Sequence, residues 1–234
     1  MSNLFVASHN DIAEAGFPDV LCPVIFLEGC NFKCPYCLNA QLVKRENTRK
    51  IPLDFVIDKY KKDDEILISG GEPLCNKKIR EFVAELRESG FSVRISTNGS
   101  FPEILEDMVV NKMVSFVAMD VKMGFDDREK WKAVSNQKET YENVLRSIEI
   151  LNKGNVDCEF RTTLFPPLVG EKDIASISGR IGKGSNWFLQ QFRLKKNLLG
   201  GNFFGKVMPY GTEKLKKIVG IARQNVKNTR IRDV

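Results

Sequence analysis

Six short apolar runs, each separated from the next by a stretch with helical spacing, constrain this chain more than any other feature. The runs fall at 24–27, 65–69, 92–96, 114–121, 158–165 and 187–191. Between them, residues 51–62, 76–89, 102–111, 139–153 and 171–181 place apolar side chains three or four positions apart, the spacing of an amphipathic helix. Ile79, Phe82, Val83 and Leu86 share one such face, and Gly90 stops the helix. Pro102 opens the next one. Alternating strands and helices predict a parallel sheet with right-handed crossovers. The expected fold is therefore α/β. At 234 residues the chain suffices for one domain with a sizeable core. In such folds ligands bind at the C-terminal ends of the strands.

The loop after the first run carries the most specific chemistry in the sequence. Gly29-Cys30-Asn31-Phe32-Lys33-Cys34-Pro35-Tyr36-Cys37-Leu38-Asn39 sets three cysteines at C-x3-C-x2-C spacing. Soft thiolates select zinc, copper(I) or iron–sulfur clusters. Structural zinc wants four closed ligands, yet no fourth cysteine or histidine lies nearby, and the lone histidine is His9. Three thiolates on a four-iron cubane leave one iron open to a substrate atom. A zinc loop completed by a distant cysteine, or buried thiols without metal, are the alternatives.

The other strand ends are also chemically loaded. Gly70-Gly71-Glu72-Pro73 comes after the second run, Thr97-Asn98-Gly99 after the third, and Asp120 and Lys122 at the end of the fourth, while Arg161 lies within the fifth. A Gly-Gly turn lets a ligand approach backbone closely. A lysine and an arginine suit a carboxylate, the arginine bidentately. Each of these residues alone could be an ordinary loop residue or half of an ion pair. No Ser-His-Asp, Cys-His or paired-carboxylate arrangement competes.

The cysteine loop resembles the signature of the radical S-adenosylmethionine enzymes. Ile68-Ser69-Gly70-Gly71-Glu72-Pro73, Ser96-Thr97-Asn98-Gly99-Ser100, Val117-Ala118-Met119-Asp120-Val121-Lys122, Phe160-Arg161-Thr162-Thr163 with Pro166-Pro167, and Leu189-Gln190-Gln191-Phe192-Arg193 narrow the likeness. Together they resemble activating proteins of the anaerobic ribonucleoside-triphosphate reductase, related to pyruvate formate-lyase activating enzyme. The resemblance covers roughly residues 20–195.

It implies a partial (β/α)6 barrel at 22–195, with an N-terminal extension at 1–21 and a basic C-terminal extension at 196–234. The first extension would form a leading strand or irregular cover. The likeness further implies a [4Fe–4S] cluster on Cys30, Cys34 and Cys37, with S-adenosylmethionine as cosubstrate. Tyr36 would lie near adenine. Gly70, Gly71 and Glu72 would hold the methionine amino group, Glu72 either touching it or bracing the turn. Asp120, Lys122 and Arg161 would meet the methionine or ribose end, and Thr163 would lie near adenine. Thr97 and Asn98 complete the expected cofactor wall.

The implied reaction is abstraction of hydrogen from one glycine of a partner glycyl-radical enzyme by a 5′-deoxyadenosyl radical. Two positions depart from the pattern. Ser96 stands where pyruvate formate-lyase activating enzymes carry a cation-binding aspartate. Leu38 replaces a histidine common in the subgroup, next to the last cysteine, where it would alter the cluster's surroundings.

Charge and cysteine usage set the remaining expectations. Six cysteines, three of them clustered, suit metal binding in a reducing, cytoplasmic and oxygen-poor setting, not a disulfide framework. Cys22, Cys75 and Cys158 read as core or near-site thiols, not as ligands of a second cluster. No stretch approaches the roughly 20 apolar residues of a membrane span, and no basic-then-apolar signal segment opens the chain. From residue 181 onward, twelve Lys and Arg face two Asp and Glu, a net of +10 in a chain of +6. That basic end contains a helix at 212–225 and suits either a solvated face or an acidic partner, such as a flavodoxin- or ferredoxin-type electron donor or the glycyl-radical enzyme. No aromatic-interleaved basic motif points to nucleic acid. Two other functions fit the same residues: a radical enzyme acting on a small molecule or peptide, like 7-carboxy-7-deazaguanine synthase, and a non-enzymatic metal or electron-transfer protein.

Overall fold

The computed structural model describes residues 6–10, 20–46, 50–194, 198–201 and 207–232. Most of the leading segment, and the expected boundary at 195/196, lie outside those residues. Among the described residues the sheet has eight strands in sequence order: β1 (Ser8–Asn10), β2 (Val24–Leu27), β3 (Glu65–Gly70), β4 (Ser92–Thr97), β5 (Phe116–Asp120), β6 (Asp157–Leu164), β7 (Asn186–Gln191) and β8 (Thr229–Arg232). Of these, only β1 runs antiparallel, against β2; every other neighbouring pair is parallel. The expected α/β sheet is present, as an open sheet with β1 and β8 at its edges.

Helices α1 (Ala40–Lys44), α2 (Leu53–Tyr60), α3 (Ile79–Glu88), α4 (Pro102–Val110), α5 (Thr140–Asn152), α6 (Glu171–Ser178) and α7 (Thr212–Arg223) fill the connections. Each of the crossover helices α2 to α6 buries the stripe its spacing predicts, such as Leu53, Val56 and Tyr60 in α2 and Ile174 and Ile177 in α6. None of the described helices is long and apolar enough to cross a membrane.

Strand register divides the sheet into two chemically different faces. Ile25, Ile68, Ile95, Val117, Phe160 and Trp187 join the helices in one large apolar core. Burying each such side chain contributes about 1.5–3 kcal/mol, so this face holds the fold. On the opposite face apolar side chains gather around Cys22, Val24, Leu67 and Ala118, with Phe188 apart from them. Along the register it carries Ser69, Ser96, Asp120, Glu159, Arg161, Thr163 and Gln190. An ordinary helix-covered sheet would not place this much polarity on a parallel face; here that face lines the functional cavity.

Two elements went unread in the sequence. The five-residue α1 is too short for a periodic signal. The final strand β8, Thr229-Arg230-Ile231-Arg232, lacks the apolar run that marks the other strands.

Candidate active site

The cysteine loop leaves β2 and is held by the turn that ends β3. Gly71 N donates to Leu27 O at 3.0 Å, and Glu72 N donates to Gly29 O at 2.8 Å. The two glycines allow this approach. A Cβ on Gly71 would sit 1.9 Å from Gly29 O, and one on Gly70, whose φ is +119°, would sit 2.3 Å from Leu27 O. Their smallness therefore serves backbone against backbone first: the Gly-Gly turn clamps the cysteine loop. Asn39 Nδ2 adds a bond to Gly70 O at 3.1 Å from the other end of the loop.

Glu72 is 1% exposed and braces the next strand end. Its Oε1 accepts from Leu74 N at 3.0 Å and Thr97 Oγ1 at 2.8 Å, and its Oε2 accepts from Asn98 N at 2.6 Å. Burial pushes its carboxyl up to about 7, against the pull of those donors. Asn98 passes the connection back to the cysteines, donating to Asn31 Oδ1 at 3.0 Å. Of the two roles the sequence left open for Glu72, bracing the turn is the one visible in its contacts.

Of the three thiols Cys34 is buried, and Cys30 and Cys37 are half-buried. Burial raises Cys30 to about 12, with the Glu72 carboxylate adding to the rise, and raises Cys34 to about 11. Cys37 is raised by burial as well. Metal coordination deprotonates such thiols outright. None of Cys22, Cys75 and Cys158 borders the cavity, and all six cysteines are free.

Around these thiols lies a cavity of about 400 Å³. Every residue singled out from the sequence lines it: Cys30, Cys34, Tyr36, Cys37, Gly70, Gly71, Glu72, Thr97, Asn98, Asp120, Lys122, Arg161 and Thr163. Lys122 Nζ pairs with an Asp120 carboxylate oxygen at 3.1 Å. Burial alone would weaken the Lys122 charge, but Asp120, Tyr36 and Cys34 outweigh it and raise the ammonium pKa. Arg161 Nε donates to Glu159 Oε1 at 2.5 Å, so the ion pair that the sequence allowed is formed.

The cavity wall also holds residues to which sequence alone assigned no contact. Gln190, Phe192 and Arg193 border it, as do Phe26 and Val43. Three buried polar atoms on its wall lack a hydrogen-bond partner among the described residues: Tyr36 Oη, Ser96 Oγ and Gln191 Oε1. Gln191 is oriented by its Nε2, which donates to Tyr210 O at 2.7 Å. Buried polar groups left unpaired are costly, and all three belong to residues that line one cavity. Three thiols on one cavity wall, beside polar atoms without partners, a carboxylate and two cations, suit an iron–sulfur cluster that would deprotonate them, with a zwitterionic ligand next to it.

Comparison with known proteins accords with this chemistry. Residues 24–175 match the family described as the Radical SAM superfamily. A protein of Methanocaldococcus jannaschii, named provisionally as a glycyl-radical enzyme activating enzyme, is 34% identical over 96% of this chain and 94% of its own length. The 7-carboxy-7-deazaguanine synthase of Aquifex aeolicus is 37% identical, over 36% of this chain and 38% of its own. Among solved structures, Streptococcus suis SuiB bound to S-adenosylmethionine superposes with a TM-score of 0.60 at 13% identity, over 90% of this chain and 51% of that one.

Proposed function

The chain belongs to the radical SAM superfamily, and from that membership we propose that it activates a glycyl-radical enzyme, with the anaerobic ribonucleoside-triphosphate reductase as its partner. Membership makes it an enzyme and brings the [4Fe–4S] cluster and S-adenosylmethionine as its cofactors; the non-enzymatic alternative falls. The observation that carries the finer reading is coverage. The likeness to the activating-enzyme relative spans 96% of this chain, whereas that to the deazaguanine synthase spans 36%.

When bound, the two cofactors supply the electron and the 5′-deoxyadenosyl radical that takes hydrogen from a glycine Cα. The chain's own residues hold, orient and shield. Cys30, Cys34 and Cys37 would ligate the cluster. Lys122 and Arg161 would receive the methionine carboxylate, Asp120 the ammonium or ribose, and Gly70 and Gly71 the amino end through their backbone. Tyr36 would face the adenine, with Thr163 near it. Phe26, Phe32 and Val43 keep water from the cavity's apolar side. A cavity of about 400 Å³ lies near the lower end of the roughly 300–1,000 Å³ that accommodates one ligand.

The test is anaerobic. The reconstituted, reduced protein is incubated with S-adenosylmethionine and the purified glycyl-radical ribonucleotide reductase of the same genome. A glycyl radical in the electron paramagnetic resonance spectrum, with 5′-deoxyadenosine formed, and both lost in Cys34→Ala, is expected. Cleavage of S-adenosylmethionine with no radical on that partner would remove the ribonucleotide reductase from the proposal.

A further inference from the structure

The last strand brings a second arginine to the wall that carries Arg161. β8 pairs with β7 in the register Gln190↔Arg232, and Gln190 pairs in turn with Thr163 of β6. Arg232 thereby reaches Glu159, its Nη1 and Nη2 lying 3.3 and 3.4 Å from the two carboxylate oxygens. The same carboxylate accepts Arg161 Nε at 2.5 Å. Glu159 is 3% exposed and Arg161 7%, so this charge exchange takes place out of water, where pairing matters most.

The position of Arg232 is built and not incidental. Its guanidinium carbon lies 3.8 Å from the centre of the Phe188 ring, a stacked cation–π contact. The turn before β8 is tied down from both sides. Arg223 donates to Thr229 O at 3.1 and 2.9 Å, Thr229 Oγ1 donates to Val226 O at 2.6 Å, and Trp187 N donates to Asn228 O. α7 buries Ile218 and Ala222, and its Lys214 and Lys217 pair with Glu171 of α6.

Charge counting shows what the second arginine changes. With Glu159 facing Arg161 alone, the pair would be neutral, and the guanidinium would be drawn to its own carboxylate. Asp120 and Lys122 next to it already cancel each other. With Arg232 sharing Glu159, two guanidinium groups divide one buried carboxylate, so Arg161 is held less exclusively by it. We propose that Arg232 and Glu159 are positioning residues that orient Arg161 and keep it electropositive toward an anionic group in the cavity. The C-terminal strand, which from sequence was only part of a basic end, thus completes the binding wall. This inference rests on the proposed function, in which that anion is the methionine carboxylate.

The experiment measures equilibrium binding to the cluster-loaded protein, so that it is separate from turnover. Two probes are used: S-adenosylmethionine, and 5′-methylthioadenosine, which has no carboxylate. Arg232→Gln is expected to weaken S-adenosylmethionine about tenfold, equivalent to about 1.4 kcal/mol, and to leave 5′-methylthioadenosine within about twofold. Arg232→Lys, which keeps the charge but loses the fork, should recover most of the affinity. In an Arg161→Gln background, Arg232→Gln should have little further effect, because its action passes through Arg161. Equal loss for both probes, or the full loss in the Arg161→Gln background, would assign Arg232 a merely structural role and overturn the proposal. Unchanged S-adenosylmethionine affinity in Arg232→Gln would overturn it too. Failure of the wild-type holoprotein to bind S-adenosylmethionine would remove both this inference and the function beneath it, whereas wild-type binding with an indifferent Arg232 removes the inference alone.

Discussion

The same chemical change, glycine to alanine, should act in opposite directions at Gly71 and Gly220. A Cβ on Gly71 meets Gly29 O at 1.9 Å and Gly29 C at 2.6 Å, with Cys30 Cβ at 3.3 Å. The first two are backbone atoms and cannot rotate away. Separating them to an ordinary contact needs a shift of about 1 Å between the β3 turn and the cysteine loop. Overpacking of this kind costs roughly 1–3 kcal/mol. The shift also strains the bonds Gly71 N to Leu27 O and Glu72 N to Gly29 O, each contributing about 0.5–1.5 kcal/mol. The total is about 2–6 kcal/mol, against a whole-domain stability of about 5–15 kcal/mol. Gly220 sits exposed inside α7, where a Cβ meets nothing within 4 Å. Gly220→Ala should stabilise the protein by about 0.5–1 kcal/mol through helix propensity. The assay is urea unfolding of the apo proteins, paired with iron content after anaerobic reconstitution. Gly71→Ala should lower the midpoint and lose most of its iron, while Gly220→Ala should raise the midpoint and keep it. A Gly71→Ala protein with wild-type midpoint and iron content would refute the clamp.

Other consequences can be measured in the same preparations. Cys30→Ala, Cys34→Ala and Cys37→Ala should each abolish the visible absorbance of the reconstituted cluster, whereas Cys22→Ala and Cys158→Ala, away from the cavity, should retain it. Glu72→Gln replaces a carboxylate that accepts three hydrogen bonds with an amide that cannot accept them all, at a cost of about 1–3 kcal/mol in urea melts. Burial raises Glu72 to about 7 from an unfolded value near 4.5, so between those pH values the folded chain binds more protons than the unfolded one. Apo stability should therefore fall as pH rises from 4.5 to 7, and Glu72→Gln should flatten that slope. Lys122→Met leaves the Asp120 carboxylate without its cation at 3.1 Å; titration should show S-adenosylmethionine binding weakened by about tenfold or more.

The sheet and the cavity were legible in the sequence for one reason: each core strand carries an apolar run and ends in a residue type that a loop has little need of. Cys30, Glu72 and Asp120 announced themselves this way, and Arg161 did so as a charge inside an apolar strand. The contacts hidden from the sequence were relational. Gly70 and Gly71 read as an opening for a ligand, but their closest approach is to Leu27 and Gly29, a contact that only the paired strands create. Glu159 and Arg161 stand two apart in β6 and so share a face, a signal available from spacing but not one that names a partner. Arg232 lies 73 positions from Glu159 in a strand without an apolar run, so nothing local points from one to the other. Gln191 looked like the end of a strand, and its role as an oriented, unpartnered acceptor depends on Tyr210.

The most direct test of the central claim tracks the hydrogen itself. The glycyl-radical reductase is prepared with deuterated glycine and incubated anaerobically with the reduced, cluster-loaded protein and S-adenosylmethionine. Mass spectrometry of the 5′-deoxyadenosine then reports the origin of its new hydrogen. The account predicts one deuterium per molecule, in proportion to the glycyl radical formed. Unlabelled 5′-deoxyadenosine from a partner that does acquire the radical would contradict direct abstraction from glycine by this enzyme.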